Sequence, residues 1–190
     1  MSAFETWVCR RMAALSLLLG QRDAALRYFG RILAANPQDA QAIGAVGYQY
    51  TQAGRKSEAL ACFDQLVALQ PENAEAHFNR GFLLQERTDH DGAMAAFRRV
   101  LELNAKHDRA LYGLALSLIA TRRLEEAVAP LRRNTKLQPM SPYGWYQLAR
   151  VQVELGHRDE AQKILDHLQR FEPKVARQLE RETGLTVTPT

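Results

Sequence analysis

The sequence has little that would build a sheet, a disulfide framework or a membrane span. Only two of its 190 residues are cysteine, so neither a disulfide-rich module nor a thiolate metal site is expected. Valine and isoleucine number 9 and 4, whereas alanine and leucine number 28 and 26, a bias that favours helices over strands. The composition therefore excludes a parallel-sheet enzyme and a small secreted module, and 190 residues suit one domain.

A targeting segment is not evident either. Arg10 and Arg11 precede an apolar run at residues 12–19, which superficially resembles a short export signal. The run has only eight residues, Glu5 precedes it, and no small-residue cleavage site follows. We therefore expect a cytoplasmic protein without a membrane span.

The net charge of +4 is unevenly placed. Residues 1–95 carry 9 basic and 10 acidic side chains, whereas residues 96–190 carry 16 and 11. The basic half contains three arginine pairs: Arg98 and Arg99, Arg122 and Arg123, and Arg132 and Arg133. Aromatic residues are not interleaved with these pairs, and acidic residues are interspersed among them, so a solvated helix face is favoured over a nucleic-acid site.

Five kinds of position recur along the chain with a period of 34 residues and no insertion or deletion. One is always alanine, one is phenylalanine or leucine, one is small, one is often glycine and one is usually proline. The five ladders are Ala25, Ala59, Ala93, Ala127 and Ala161; Phe29, Phe63, Phe97, Leu131 and Leu165; Ala13, Gly47, Gly81, Ala115 and Ala149; Gly20, Gly54, Thr88, Arg122 and Gly156; Pro37, Pro71, Ala105, Pro139 and Pro173. Several independent ladders with one period indicate a tandem repeat.

Each ladder has a physical role in a helix–turn–helix unit. Small residues let two helices approach, phenylalanine or leucine fills the space between them, glycine suits a left-handed turn, and proline stops the second helix. The predicted units are residues 6–39, 40–73, 74–107, 108–141 and 142–175. The predicted caps of the first helices are Asp39, Asn73, Asp108 and Ser141. A capping helix at 174–183 would follow, and residues 185–190 would form a flexible tail.

This unit resembles the tetratricopeptide repeat (TPR). The second copy carries the resemblance best, at Gly47, Tyr50, Gly54, Ala59, Phe63 and Pro71, and the resemblance covers residues 6–175. It implies an all-α fold, a right-handed superhelical α-solenoid over residues 1–184. In this family the first helix of each repeat lines a concave inner wall.

No catalytic or cofactor motif is found in the sequence. A P-loop, a Gly-rich dinucleotide turn, a nucleophile elbow and a zinc-protease helix are all missing. Asp89, His90 and Asp91 are the only dense group of metal-ligand types, and a helix cap explains them better than a metal site. Cys9 and Cys62 are predicted to be small buried residues on helices. We therefore expect neither an enzyme, nor a metal, nor a cofactor.

One stripe of the predicted inner wall is more aromatic than a solvated face. Large rings with few rotors suit a binding groove, and arginines there are suited to meet carboxylates. The groove residues are Gln41, Tyr48, Phe78, Asn79, Phe82, Arg109, Tyr112, Leu116, Tyr143, Tyr146 and Arg150. The alternative is that these rings pack against the neighbouring repeat.

The first repeat presents a second apolar surface. Trp7, Leu17 and Leu18 fall on its inner stripe, where no earlier repeat covers them. Such a surface favours a homo-oligomer through the N-terminal repeat or docking of another element. The alternative is that residues 1–6 fold back and cover it.

The sequence thus predicts a non-catalytic scaffold or adaptor that binds a peptide or amphipathic helix of another protein in its concave groove. Nucleic acid is not an expected partner. Two other functions stay open: a chaperone-type TPR protein for a secretion or assembly client, and a regulatory TPR domain that works with a separate enzyme.

Overall fold

The chain forms eleven α-helices in a computed structural model that describes residues 1–187, and no strand occurs within those residues. The all-α prediction is confirmed. The helices are α1 Ala3–Leu18, α2 Arg22–Ala35, α3 Ala40–Gln52, α4 Lys56–Leu69, α5 Ala74–Glu86, α6 His90–Leu103, α7 Asp108–Ala120, α8 Leu124–Leu137, α9 Pro142–Glu154, α10 Arg158–Phe171 and α11 Pro173–Thr183.

The helix boundaries follow the 34-residue period of the sequence. The second helices of the five pairs begin at residues 22, 56, 90, 124 and 158, and four first helices begin at 40, 74, 108 and 142. All five alanines of the alanine ladder are fully buried, and every phenylalanine or leucine of the next ladder is buried, at 0 to 8% exposure. Each ladder therefore marks a packing position between paired helices.

The chain divides into two compact units, Met1–Arg87 with α1–α5 and a second unit from Thr88 onward with α6–α11. In the first unit, one core cluster is built around Phe29 and Ile32, and a second is built around Ile43 and Phe63. The second unit buries the Phe97 ring together with Leu111, Leu131 and Leu165. A single solenoid over residues 1–184 stays a prediction.

The predicted first-helix caps are partly correct. Asp39 and Asn73 each accept a backbone N–H from three residues ahead, at 2.9 and 3.0 Å. Ser141 occupies the N-cap position without a side-chain bond. Asp108 as a cap is wrong, because α7 already begins there and His107 Nδ1 accepts the capping N–H at 3.1 Å.

The start of helix α1 shows whether residues 1–6 fold back over the apolar surface of the first repeat. Ser2 and Glu5 form a reciprocal capping box, in which the Glu5 N–H donates to Ser2 Oγ at 3.2 Å and the Ser2 N–H donates to Glu5 Oε2 at 2.7 Å. Residues 3–6 are therefore the first turn of α1 and do not fold back over it. The prediction that Leu17 belongs to the uncovered apolar surface is wrong, because Leu17 packs inward against the first core cluster. Trp7 and Leu18 are exposed, as predicted.

Helix α11 closes the second unit. It packs against α9 and α10 and fully buries Ala176 and Leu179. Leu185, expected in the tail, is buried as well, and the Gln162 amide donates to the Thr186 carbonyl at 2.8 Å. Residues 185–187 thus lie against the helices, while 188–190 of the predicted tail lie outside the described residues.

All five positions of the weak glycine ladder adopt a left-handed backbone. The three glycines have φ of 72° to 81°, and Thr88 and Arg122 have φ of 61° and 60°. This conformation costs a non-glycine residue about 1–2 kcal/mol, and a β-branched side chain suits it least. The repeat geometry therefore imposes the turn even where glycine is missing.

An exchange of glycine and threonine at two equivalent turns tests this strain. We expect Thr88→Gly to raise the free energy of unfolding by up to about 1 kcal/mol, because the left-handed strain is removed. Gly54→Thr should lower it by about 1–2 kcal/mol for the converse reason. Urea unfolding of each variant measures both changes. Gly30→Thr, at an open position within α2, is the control and should change the free energy of unfolding little. A Gly54→Thr variant as stable as the wild type would show that the left-handed turn imposes no strain.

Candidate functional site

A cleft of about 400 Å³ opens in the first unit between α3 and α5. Its apolar lining includes the buried side chains of Phe63 and Leu66 from α4. Gly44 of α3 contributes no side chain, and a Cβ at that position would lie 3.3 Å from Leu66 Cδ2. A larger residue at position 44 would therefore press against Leu66 and narrow the cleft.

Side-chain amides line the polar part of the cleft. Asn73, which caps α5, donates through Nδ2 to Gln70 Oε1 at 2.8 Å, so these two amides are held in place. Gln41 accepts a hydrogen bond from Arg10. The Asn79 side chain lines the cleft as well. Amides both donate and accept, so this edge suits the main chain of a peptide.

The structure brings together three of the five predicted groove residues of the first unit. Gln41, Tyr48 and Asn79 line the cleft, and 53% of Tyr48 is exposed. Phe78 and Phe82 lie on the same α5 but do not line the cleft; Phe82 is exposed and Phe78 is half-buried. The predicted stripe therefore contributes one aromatic ring to the cleft.

Sequence reasoning did not place the residues that shape the cleft among the site residues. Gly44 stands on the predicted stripe between Gln41 and Tyr48, at helical spacing, and a glycine there leaves one position of the predicted wall without a side chain. The contributions of Phe63 and Leu66 have no such sign, because the Phe63 ladder position predicts only a core residue.

In the second unit, the predicted residues lie on α7 and α9. Tyr112 is half-buried, and burial raises the pKa of the Tyr112 hydroxyl, although the Gln147 side chain acts to lower it. Leu116 is half-buried, whereas Arg109 and Tyr143 are exposed. Tyr112 is therefore partly packed into the second unit, which agrees with the alternative that the predicted groove rings serve packing. The Tyr143 ring is exposed to solvent.

Helix α11 already engages the two remaining groove residues. The Tyr146 hydroxyl donates to Glu182 Oε2 at 2.5 Å, Gln178 Nε2 donates to the Tyr146 hydroxyl at 3.2 Å, and the Arg150 guanidinium lies 3.8 Å from Glu182 Oε2. Burial and then this hydrogen bond raise the pKa of Tyr146, and the Tyr146 hydroxyl lowers the pKa of Glu182. The carboxylate expected from a partner at Arg150 is supplied here by the chain itself.

The six arginines of the three pairs are engaged in ion pairs and one backbone contact. The Arg98, Arg122 and Arg132 guanidiniums approach glutamates at 3.8, 2.6 and 3.0 Å. Their neighbours behave alike: Arg99 pairs with Glu102 at 2.9 Å, Arg123 with Glu126 at 2.6 Å, and Arg133 donates to the Ala105 carbonyl at 2.6 Å. These contacts support the solvated face over a phosphate-binding surface.

The remaining candidates for chemistry have structural roles. Asp89 caps α6 by accepting the Gly92 N–H at 3.0 Å, and residues 1–187 contain no group of three or more potential metal ligands. Cys9 and Cys62 are free thiols, and burial raises the pKa of Cys62, which disfavours the nucleophilic thiolate. Across the same residues, no helix combines the length and hydrophobicity of a membrane span.

Comparisons with known proteins point to one repeat type. Residues 47–87 match the family described as TPR repeat, and residues 86–168 match the family described as anaphase-promoting complex, cyclosome, subunit 3. No curated protein sequence matches the chain.

Solved structures share the fold. MamA has a TM-score of 0.85 at 21% identity, over 99% of this chain and 100% of that one. YrrB, described as a TPR protein with an unusual peptide-binding site, has a TM-score of 0.82 at 20% identity, over 91% and 90%. A MamA fragment from Desulfovibrio magneticus RS-1 has a TM-score of 0.79 at 20% identity, over 94% and 96%. The likeness is one of fold.

Proposed function

The chain is a tetratricopeptide-repeat protein, and from this premise we propose that it is a non-catalytic scaffold that binds a peptide or helical segment of a partner protein. We assign the binding to the cleft between α3 and α5. The proposal rests on one observation, the open cleft with an apolar lining and an amide edge.

The chemistry of the cleft favours a peptide. A volume of about 400 Å³ accepts one large apolar side chain together with adjoining main chain. The side chain would contact Leu66 and Phe63, and the amides of Asn79 and Gln41 would bond the flanking peptide groups. The peptide-binding site named for YrrB, a protein of the same fold, supports the same use of this chain.

The second unit contributes a separate surface to the proposal. Tyr143 and Arg109 are exposed on α9 and α7, and they would contact a further part of the partner. Arg150 would take part only where a partner carboxylate competes with Glu182, which already holds it.

A cleft-filling substitution tests the assignment. A peptide is first selected on the wild-type chain from a random dodecapeptide display library, and its Kd is then measured by calorimetry. We expect Gly44→Leu to weaken binding of this peptide by at least about tenfold, because the leucine occupies the space of a ligand side chain worth about 1.5–3 kcal/mol. Helicity should be unchanged, because the one close neighbour of the new Cβ is the flexible end of Leu66, 3.3 Å away, which can shift by a few tenths of an ångström.

The matched control makes the same change away from the cleft. Gly30 is also a mid-helix glycine, and a Cβ there meets nothing within 4 Å. Gly30→Leu should therefore bind the peptide as the wild type does. A library that yields no binding peptide, or a Gly44→Leu variant that binds normally, would remove the cleft from the proposal.

A further inference from the structure

Helix α1 is apolar on two opposite faces. Cys9, Ala13 and Ser16 are buried on one face. On the other face, a stripe of four large apolar side chains lies within an arc of about 80° at 100° per residue. The outer stripe consists of Phe4, Trp7, Leu15 and Leu18, which are 71, 53, 48 and 85% exposed. A helix that is apolar on both faces normally lies between two layers of protein, and the chain supplies one of them.

The outer stripe is ordered and large. The Phe4 and Trp7 rings are stacked with centroids 6.1 Å apart, and the capping box fixes the turn that carries Phe4. Together with Met12 and Leu19, which flank it, the stripe exposes roughly 600 Å² of apolar surface, close to the ~800 Å² that one partner contributes to a standard interface. Scattered surface residues do not reach this size.

We propose that a second copy of this chain covers the outer stripe, through a twofold-symmetric antiparallel pairing of the two α1 helices. The stripe has its aromatic residues at the N-terminal end of α1 and its leucines at the C-terminal end. An antiparallel twofold therefore sets the rings of each copy against the leucines of the other, along a contact about 21 Å long. Each large ring would thus face a leucine of the other copy rather than a second ring.

Arg11 is the one charged residue of the stripe, and its position fits this pairing. Its guanidinium lies 5.5 Å from the centroid of the Trp7 ring, which draws the charge toward the aromatic end of its own helix. The two Arg11 stems, rather than the two charges, then meet near the twofold axis. The residual repulsion between two like charges predicts that salt strengthens the pairing.

The pairing is independent of the cleft between α3 and α5. None of the cleft residues belongs to α1, and Arg10, which donates to Gln41 of the cleft, lies outside the outer stripe. A chain that fails to self-associate would therefore still bind its peptide, and a chain with a filled cleft would still pair. The two proposals fail separately.

Sedimentation velocity of the full chain, from about 1 to about 200 µM, tests the proposal. We expect the wild type to form a dimer within this range. Leu18→Glu should weaken the dimer by at least about a hundredfold, because it places two charges in the apolar contact, while leaving helicity and peptide affinity unchanged. Met140→Glu is the control at a residue of similar exposure, 69%, and should dimerise like the wild type.

A second variant tests the twofold arrangement itself. Arg11→Leu removes the like charges near the axis and should tighten the dimer by about tenfold, with a smaller dependence on salt. A wild type that stays monomeric throughout, or a Leu18→Glu variant that dimerises normally, would overturn the proposal. Weaker association of Arg11→Leu would also overturn it, because it would indicate an acidic partner at this position.

Discussion

Replacement of Leu179 by alanine is expected to detach α11 and to lower the free energy of unfolding by about 2–4 kcal/mol. Leu179 is fully buried and is the largest apolar side chain that α11 packs inward. The helix has only 11 residues, a length at which an isolated helix is marginal in water. Its stability therefore comes from docking on α9 and α10, and a cavity at Leu179 removes most of that docking energy.

Hydrogen exchange locates the effect of Leu179→Ala. In a repeat protein each repeat contacts only its neighbours, so lost protection should appear in α9, α10 and α11 and leave α1–α5 unchanged. Arg177→Ala, an exposed position on the same helix, is the control and should stay within about 0.5 kcal/mol of the wild type. Uniform loss of protection across all helices would show that α11 does not unfold as a local unit.

Gly113→Ala is expected to destabilise the second unit by up to about 2 kcal/mol, although alanine is the better helix former. A Cβ at residue 113 would lie 2.6 Å from Phe97 Cζ, and the Phe97 ring is itself 1% exposed and enclosed by core side chains. The ring cannot withdraw without opening the packing of α6 on α7. The overpacking cost therefore exceeds the helix-propensity gain of about 1 kcal/mol.

A double-mutant cycle isolates the contact between residues 97 and 113. Phe97→Leu introduces the smaller side chain that the next two repeats carry at Leu131 and Leu165. The double variant should be less destabilised than the sum of the two single variants by about 1 kcal/mol in urea unfolding. Gly30→Ala, at an open helix position, should stabilise the protein and confirm the propensity gain. Additive effects at 97 and 113 would contradict the clash.

Helix positions and the buried ladders were predictable because each is a local pattern that occurs five times. The left-handed turns at Thr88 and Arg122 illustrate the strength of the repeat pattern. Neither residue favours this conformation, yet both occupy the repeat position at which three glycines adopt it. The capping box of Ser2 and Glu5 was also readable, since a serine three residues before a glutamate marks a helix start. Because this pattern starts the helix at residue 3, it argues against residues 1–6 folding back over the helix.

The candidate sites were less predictable because they depend on contacts between distant residues. Leu17 and Leu18 are adjacent in sequence, and a rotation of α1 by one residue, about 100°, decides which of them faces the core. Tyr146 and Glu182 are 36 residues apart, and only the docking of α11 brings them together. The opening beside Gly44 likewise depends on the distance between α3 and α5.

By itself, the sequence determined the repeat, its period, its helices and the side chains buried inside each pair, because these follow from periodicity and local propensity. Only the tertiary structure decided which polar and aromatic groups stay open. It joined Gly44 and Leu66 into a cleft, paired Arg150 with Glu182, and left the outer stripe of α1 uncovered. The physical reason is that exposure depends on how helices pack across repeats, and no local pattern records that packing.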